Sequence, residues 1–310
     1  MNNKLFNTMI IFISVISLIE IVVNKTVIFS TVSYSLKLWV NSIIPSLFPF
    51  FIITEILISY NIINYIPVFL KKVLKKLFNV NDNVVTIFFL SIISGFPSSS
   101  KNIKYMYDNY LIDTDMGSHA LIFTHFASPL FIMGTVSVFF LHSETFGKII
   151  LISHYIPNII LGILTRSNIP NDNTIINYTN LDIRFPKILI RSIKNSIDTL
   201  LMILGIISCF MIISTTITNI FNFDIYTEAL IKGILEMTMG LKSVSVLDIP
   251  NIYKVVISSM ILSFGGLSVH MQILSFIEDT NISYKTFFIA RIYHSILSGI
   301  LAYILYIIFI

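Results

Sequence analysis

The sequence predicts an all-α polytopic membrane protein of two inverted repeats, each with a kinked helix, an interfacial amphipathic helix and a re-entrant helical hairpin. That makes about six full spans plus two hairpins. Three observations carry the prediction. Of 310 residues, 55% are hydrophobic and only 12% charged, with a mean hydropathy of +0.86, so the apolar surface exceeds what one soluble core can bury. Two apolar runs, 84–93 and 255–264, stop at about half of the ~20 residues a spanning helix needs. Each ends in Gly or Pro followed by polar side chains (Gly95-Phe96-Pro97-Ser98-Ser99-Ser100-Lys101 and Gly265-Gly266-Leu267-Ser268-Val269-His270-Met271-Gln272), as a re-entrant hairpin with a polar tip would. Between 66 and 78, Phe69, Leu70, Val73, Leu74 and Leu77 recur at helical spacing while Lys71, Lys72, Lys75 and Lys76 share the other face, which predicts a helix lying on an anionic leaflet.

The net charge of +4 does not point to nucleic acid, because Lys and Arg fall in short connections between apolar runs. The single Cys209 lies in an apolar stretch, so no intrachain disulfide and no thiolate metal cluster is expected, and no cofactor is indicated.

In chain order, 5–23 carries Glu20 and lacks a small-x-small cleavage pattern, so it reads as a retained first transmembrane helix within an N-terminal unit of residues 1–30. The first repeat is 31–166. It opens with an apolar stretch, 36–60, that Pro45 and Pro49 should kink. The Lys-rich helix and the first hairpin follow, then a segment at 118–141 interrupted by Ser128-Pro129 and a span at 146–164. Residues 167–184 form a polar linker on the cytoplasmic side. The second repeat, 185–310, holds a span at 197–220, an amphipathic stretch at 226–241 in the place of the Lys-rich helix, the second hairpin, and a last span at 284–310. With a cytoplasmic N-terminus, charge placement puts Lys101 and Lys104 inside, Glu278 and Asp279 outside, and the C-terminus inside, so the two repeats have opposite orientation.

Five runs resemble the YlbJ-type sporulation integral membrane family, whose members carry a nucleoside-recognition or Gate domain. They are Pro45-Ser46-Leu47-Phe48-Pro49-Phe50-Phe51, Ser94-Gly95-Phe96-Pro97, the Ser128–Val136 run, Leu235-Glu236-Met237-Thr238-Met239-Gly240, and the second break. They occur in the family's order across roughly residues 30–305. The resemblance implies a role in forming the spore envelope and cortex, and placement in the mother-cell-derived membrane around the forespore. It also implies likeness to transporters whose solute sits between two hairpins. Departures fall at the first tip, where Phe96 stands for the family's Tyr and Ser99-Ser100 for Gly-Ala.

The candidate solute-binding set is Gly95, Pro97, Ser98, Ser99, Asn102, Ser128, Pro129, Glu236, Gly266, Ser268, His270 and Gln272. The hydroxyls and the amide at the first tip offer hydrogen bonds beside unwound helix starts, although Ser at a helix start also caps without any ligand. His270 either meets a solute or proton or is a satisfied buried histidine. Lys101 reads as a snorkelling charge, Glu20 and Glu55 as acids reaching headgroups, and Arg291 as the partner of an acid such as Glu278 or Glu236. No catalytic constellation is present, so the chain is not expected to be an enzyme. The expected activity is that of a permease-like protein for a small polar solute. The alternative is a non-transporting scaffold that recruits envelope-assembly partners through the Lys-rich helix. The expected partners are membrane lipid and that solute, with a homo-oligomer or sporulation membrane partners left open.

Overall fold

The protein, seen in a computed structural model, is described at residues 3–166 and 184–310, so all of the expected 167–184 linker except Arg184 lies outside the described residues. Those residues are helical, with no strand. Five stretches are long and apolar enough to cross a membrane: Lys25–Ser59, Glu144–Leu164, Phe185–Phe221, Asn251–Ile277 and Tyr284–Phe309. The chain is a multi-pass membrane protein.

Helix α1 (Asn3–Val23) precedes the first of these spans. That span joins α2 (Lys25–Leu38) and α3 (Ile44–Ser59) through a π-helical turn at Trp39–Ile43. The turn falls just before Pro45, whose missing N–H and ring disfavour the regular hydrogen-bond ladder. The expected distortion at the proline pair takes this form. The Lys-rich helix α4 (Val68–Phe78) meets α5 (Asp82–Ser94) at 98°, as a helix lying flat beside one that enters the bundle would.

Helix α5 and α6 (Ser98–Asp108) pack against each other across the Gly95-Phe96-Pro97 break. Their far ends are tied where Asn81 and Asn83 at the start of α5 donate to the carbonyl of Leu111, just past α6, at 3.1 and 3.0 Å. Then α7 (Thr114–Phe123) stops, the chain unwinds through 124–128, and a π-helical segment continues at Phe131–Phe140. Its partner is α8 (Glu144–Leu164). Residue 119 meets 162, 123 meets 158 and 127 meets 154. Numbers fall on one side as they rise on the other, so α7 and the π segment form one path antiparallel to α8.

The second half follows the same logic. Helix α9 (Phe185–Phe221) spans 37 residues and, at about 1.5 Å per residue, outruns a ~30 Å hydrocarbon core. Helices α10 (Ile225–Leu235) and α11 (Met237–Val246) fold back on each other about Glu236. This corrects the expected surface helix at 226–241. Helices α12 (Asn251–Phe264) and α13 (Gly266–Ile277) continue past Gly265 as one candidate span, antiparallel to α14 (Tyr284–Phe309). His270 bonds Tyr284 at 3.0 Å, Ser295 donates to the carbonyl of Met260, and Ser259 bonds Ser298 at 2.6 Å.

The expected hairpin at Gly265-Gly266 is therefore replaced by a broken span. The physical reason is that α14 supplies a hydroxyl and apolar face along both α12 and α13, so the short apolar run finds its remaining length beyond the glycines. The charge-based topology changes with it. Lys104 bonds Asp279 at 2.8 Å, so the two lie at one end of the bundle instead of on opposite sides. Tyr306, near the end of α14, packs 5.8 Å from Phe146 at the start of α8. The far end of α14 thus sits opposite Lys104, where the same end had been expected.

Candidate functional site

Four interruptions of helix, one from each paired element, meet in the bundle interior. Gly95 ends α5 at φ +72° and ψ −179°, a conformation essentially restricted to glycine. A β carbon there would lie 2.5 Å from the amide nitrogen of Ser128. Gly266 has φ +68°, and a β carbon on it would lie 2.9 Å from the amide nitrogen of Met237. Thus the α5–α6 break abuts the α7 break, and the α10–α11 turn abuts the α12–α13 break. Gly265 brings the two pairs together, its β position being 3.8 Å from Nε2 of His125.

The unwound stretch 124–128 is held largely by side chains. Non-helical backbone at membrane depth costs several kcal/mol per unpaired group, and here the groups are taken one by one. Arg291 donates to the carbonyl of Ile122 and Asn158 to those of Phe123 and His125, at 2.9 and 3.1 Å. The Phe96 amide donates to the carbonyl of Phe126, and the Tyr155 hydroxyl to that of Ala127. His154 Nε2 accepts from the Ala127 amide at 2.9 Å, so its proton is on Nδ1, facing Ser263 Oγ at 2.9 Å. His294 Nε2 bonds the carbonyl of His154 and its Nδ1 lies 2.7 Å from Arg291 Nη1. Arg291 is fully buried. It pairs with no acid among the described residues; its guanidinium instead serves the carbonyl of Ile122, Asn158 Oδ1 and His294.

Around the meeting point lies a cavity of about 40 Å³, lined by Phe96, Ser128, Glu236, Thr238, Val269 and Gln272 from the breaks, with Ser46 from α3 and Ile203 and Ile207 from α9. That volume leaves room for water or a small ion. Of the candidate residues, Ser128, Glu236 and Gln272 line it. Gly95 and Gly266 set the backbone approach beside it, and Ser268 stands behind Glu236. Ser98, Ser99 and Asn102 are buried along α6, with Pro97 accepting from Ser100 Oγ; these residues and Pro129 are absent from the lining. His270 is tied by both ring nitrogens, to the Tyr284 hydroxyl and to the carbonyl of Phe264, which is the satisfied-histidine reading. Thr238 and Ser46 were quoted in the motifs without being singled out.

Two further acids find protein partners. Glu55 of α3 pairs with Lys101 of α6 and accepts from Asn195 at 3.1 Å, while Lys101 also reaches Thr199 at 3.2 Å. Glu20 accepts from Asn24 and Asn219. Lys101 is thus a tie between the first hairpin, α3 and α9, where a snorkelling charge was expected.

Compared with known proteins, the chain is 28% identical over 308 residues to sporulation integral membrane protein YlbJ of Bacillus subtilis (strain 168), a match that covers 87% of this chain and 76% of that protein. The resemblance is of the YlbJ type. No protein-family model and no solved structure matches the chain. The YlbJ likeness extends across most of the chain, as the spread of the five motifs had implied.

Proposed function

We propose that this YlbJ-like chain serves sporulation as an integral membrane permease that binds a small polar solute where the four breaks meet and passes it by alternating access. The convergence of these breaks on one buried cavity carries the reading. Broken helices that aim their starts at a shared midplane point are how transporters form solute sites, and irregular backbone is tolerated there because it lines a cavity. The name of the relative supports the sporulation role. A part in envelope or cortex formation and residence in the mother-cell-derived forespore membrane complete the proposal.

In this reading the inverted repeats are paired differently from the sequence-based scheme. Helices α2–α3, α5–α6, α7 with its π segment, and α8 correspond to α9, α10–α11, α12–α13 and α14. The two hairpins are then α5–α6 and α10–α11, with tips at Gly95 and Glu236. The Lys-rich end, with α4 and Lys101, faces the cytoplasm by the positive-inside rule, which puts the C-terminus outside.

The test is a thermal-shift panel of nucleosides, amino sugars and peptidoglycan precursors on the purified chain, with Gln272→Ala and Ser128→Ala alongside. A stabilising ligand whose effect weakens in both variants is expected. No ligand across the panel, with both variants still supporting sporulation, would sink the permease reading and favour the scaffold.

A further inference from the structure

Glu236 is a charge without a countercharge. It is 1% exposed, sits at the tip between α10 and α11, and makes no ion pair among the described residues. Capping explains only half of the carboxylate: Oε2 accepts from Thr238 Oγ1 at 2.6 Å and from the Met239 amide at 2.8 Å. The other oxygen, Oε1, has Ser268 Oγ at 3.5 Å, beyond a good hydrogen bond. The start of α11 stabilises a negative charge by at most ~2 kcal/mol, whereas an ion left unpaired in a protein interior costs several kcal/mol.

The space beside it states what would neutralise it. The cavity leaves room for water or a small ion beside the carboxylate. Most of its lining is apolar, and the polar members Ser46, Ser128, Thr238 and Gln272 bring hard oxygen donors with no thiolate or imidazole, which suits alkali ions and protons over transition metals. One carboxylate balances one positive charge, where divalent sites gather more carboxylates.

We propose that Glu236 holds a small monovalent cation, an alkali ion or a proton, in the cavity where the four breaks meet. The site stands without any solute, so it survives failure of the permease reading.

Four other titratable groups lie near this junction. Tyr34 of α2 has Lys242 4.0 Å over its ring. His270 is bonded at both nitrogens, whereas His125 is stacked on Phe96 with neither ring nitrogen hydrogen-bonded among the described residues. Arg291 is held by Ile122, Asn158 and His294.

The experiment is thermal unfolding of the full chain in detergent. One arm varies sodium, potassium or choline chloride at constant ionic strength and alkaline pH; the other varies pH in choline. The wild type should gain stability with sodium or potassium if the occupant is an alkali ion, and only with falling pH if it is a proton. Glu236→Gln should lose that response and be no less stable than wild type in choline at alkaline pH. A wild type flat in both arms, or a response retained in Glu236→Gln, overturns the proposal. If Glu236→Gln does not fold, Glu236→Asp should move the alkali midpoint about tenfold, or displace the pH midpoint; an unchanged midpoint overturns it equally.

Discussion

Gly95 and Ser128 approach so closely that the smallest side chain at position 95 would stand 2.5 Å from the Ser128 amide nitrogen. Both the backbone conformation and the contact select glycine. Gly95→Ala should destabilise the chain by about 3 kcal/mol or more, combining a strained φ with overpacking. Thermal unfolding in detergent checks this, and a variant within about 1 kcal/mol of wild type would show that the approach is soft.

Arg291 should resist conservative replacement. Its planar fork serves the carbonyl of Ile122 and Asn158 while reaching His294, and an ammonium cannot reproduce that geometry. Arg291→Lys should cost about 1–3 kcal/mol of stability and Arg291→Met about as much, because buried acceptors lose their donors. The two can be compared in one unfolding series; a neutral Arg291→Lys would mean that charge, and not the fork, is what the site uses.

Lys101 and Glu55 should show energetic coupling. Glu55→Gln and Lys101→Met, singly and together, form a cycle whose interaction energy should be about 1 kcal/mol or more for a partly buried pair. Additive losses would mean that the first hairpin is held to α3 and α9 by packing alone.

At the Lys-rich end, the Lys104 ammonium beside Asp279 holds its carboxyl below the usual range. A depressed carboxylate contributes stability that is present above its unfolded pKa and lost as pH falls through the lower folded value. Asp279→Asn should therefore flatten part of the acid limb of the stability profile. The effect is small and fades with salt, since the carboxylate is exposed. An unchanged acid limb would remove the pair from the account.

Neutralising Lys71, Lys72, Lys75 and Lys76 together should reduce binding of isolated chain to anionic vesicles while leaving the solute panel unchanged. Lost sporulation function with intact solute binding would favour the scaffold reading.

The sequence made the helical membrane class legible through composition, and the first break through its Gly-Phe-Pro run. It also showed the Lys-rich helix, because charge and apolar faces separate cleanly there. The break at Gly265-Gly266 was read as a tip, but it lies within one candidate span. Gly265-Gly266 looks like a tip, since an apolar run ends there, while the real fold-back is marked only by Glu236 capping the next helix, a signal that periodicity at 226–241 conceals. The charge rule set Asp279 apart from Lys104 because Gly265-Gly266 was taken for a tip, whereas the two bond at one end of the bundle. The support from His154, Tyr155, Asn158 and Arg291 was out of reach. Nothing in one chain says which backbone carbonyls, more than twenty residues away, a polar side chain in a span will serve.

The strand at 124–128 has a consequence for the electrical behaviour of the membrane. Its carbonyls at 123, 125, 126 and 127 are taken by protein donors, so no file of water is needed to satisfy them. An interior wetted from face to face would let protons run down a potential worth about 2.3 kcal/mol per charge for every 100 mV. Protein donors at these carbonyls take the place that such a file of water would hold along this stretch.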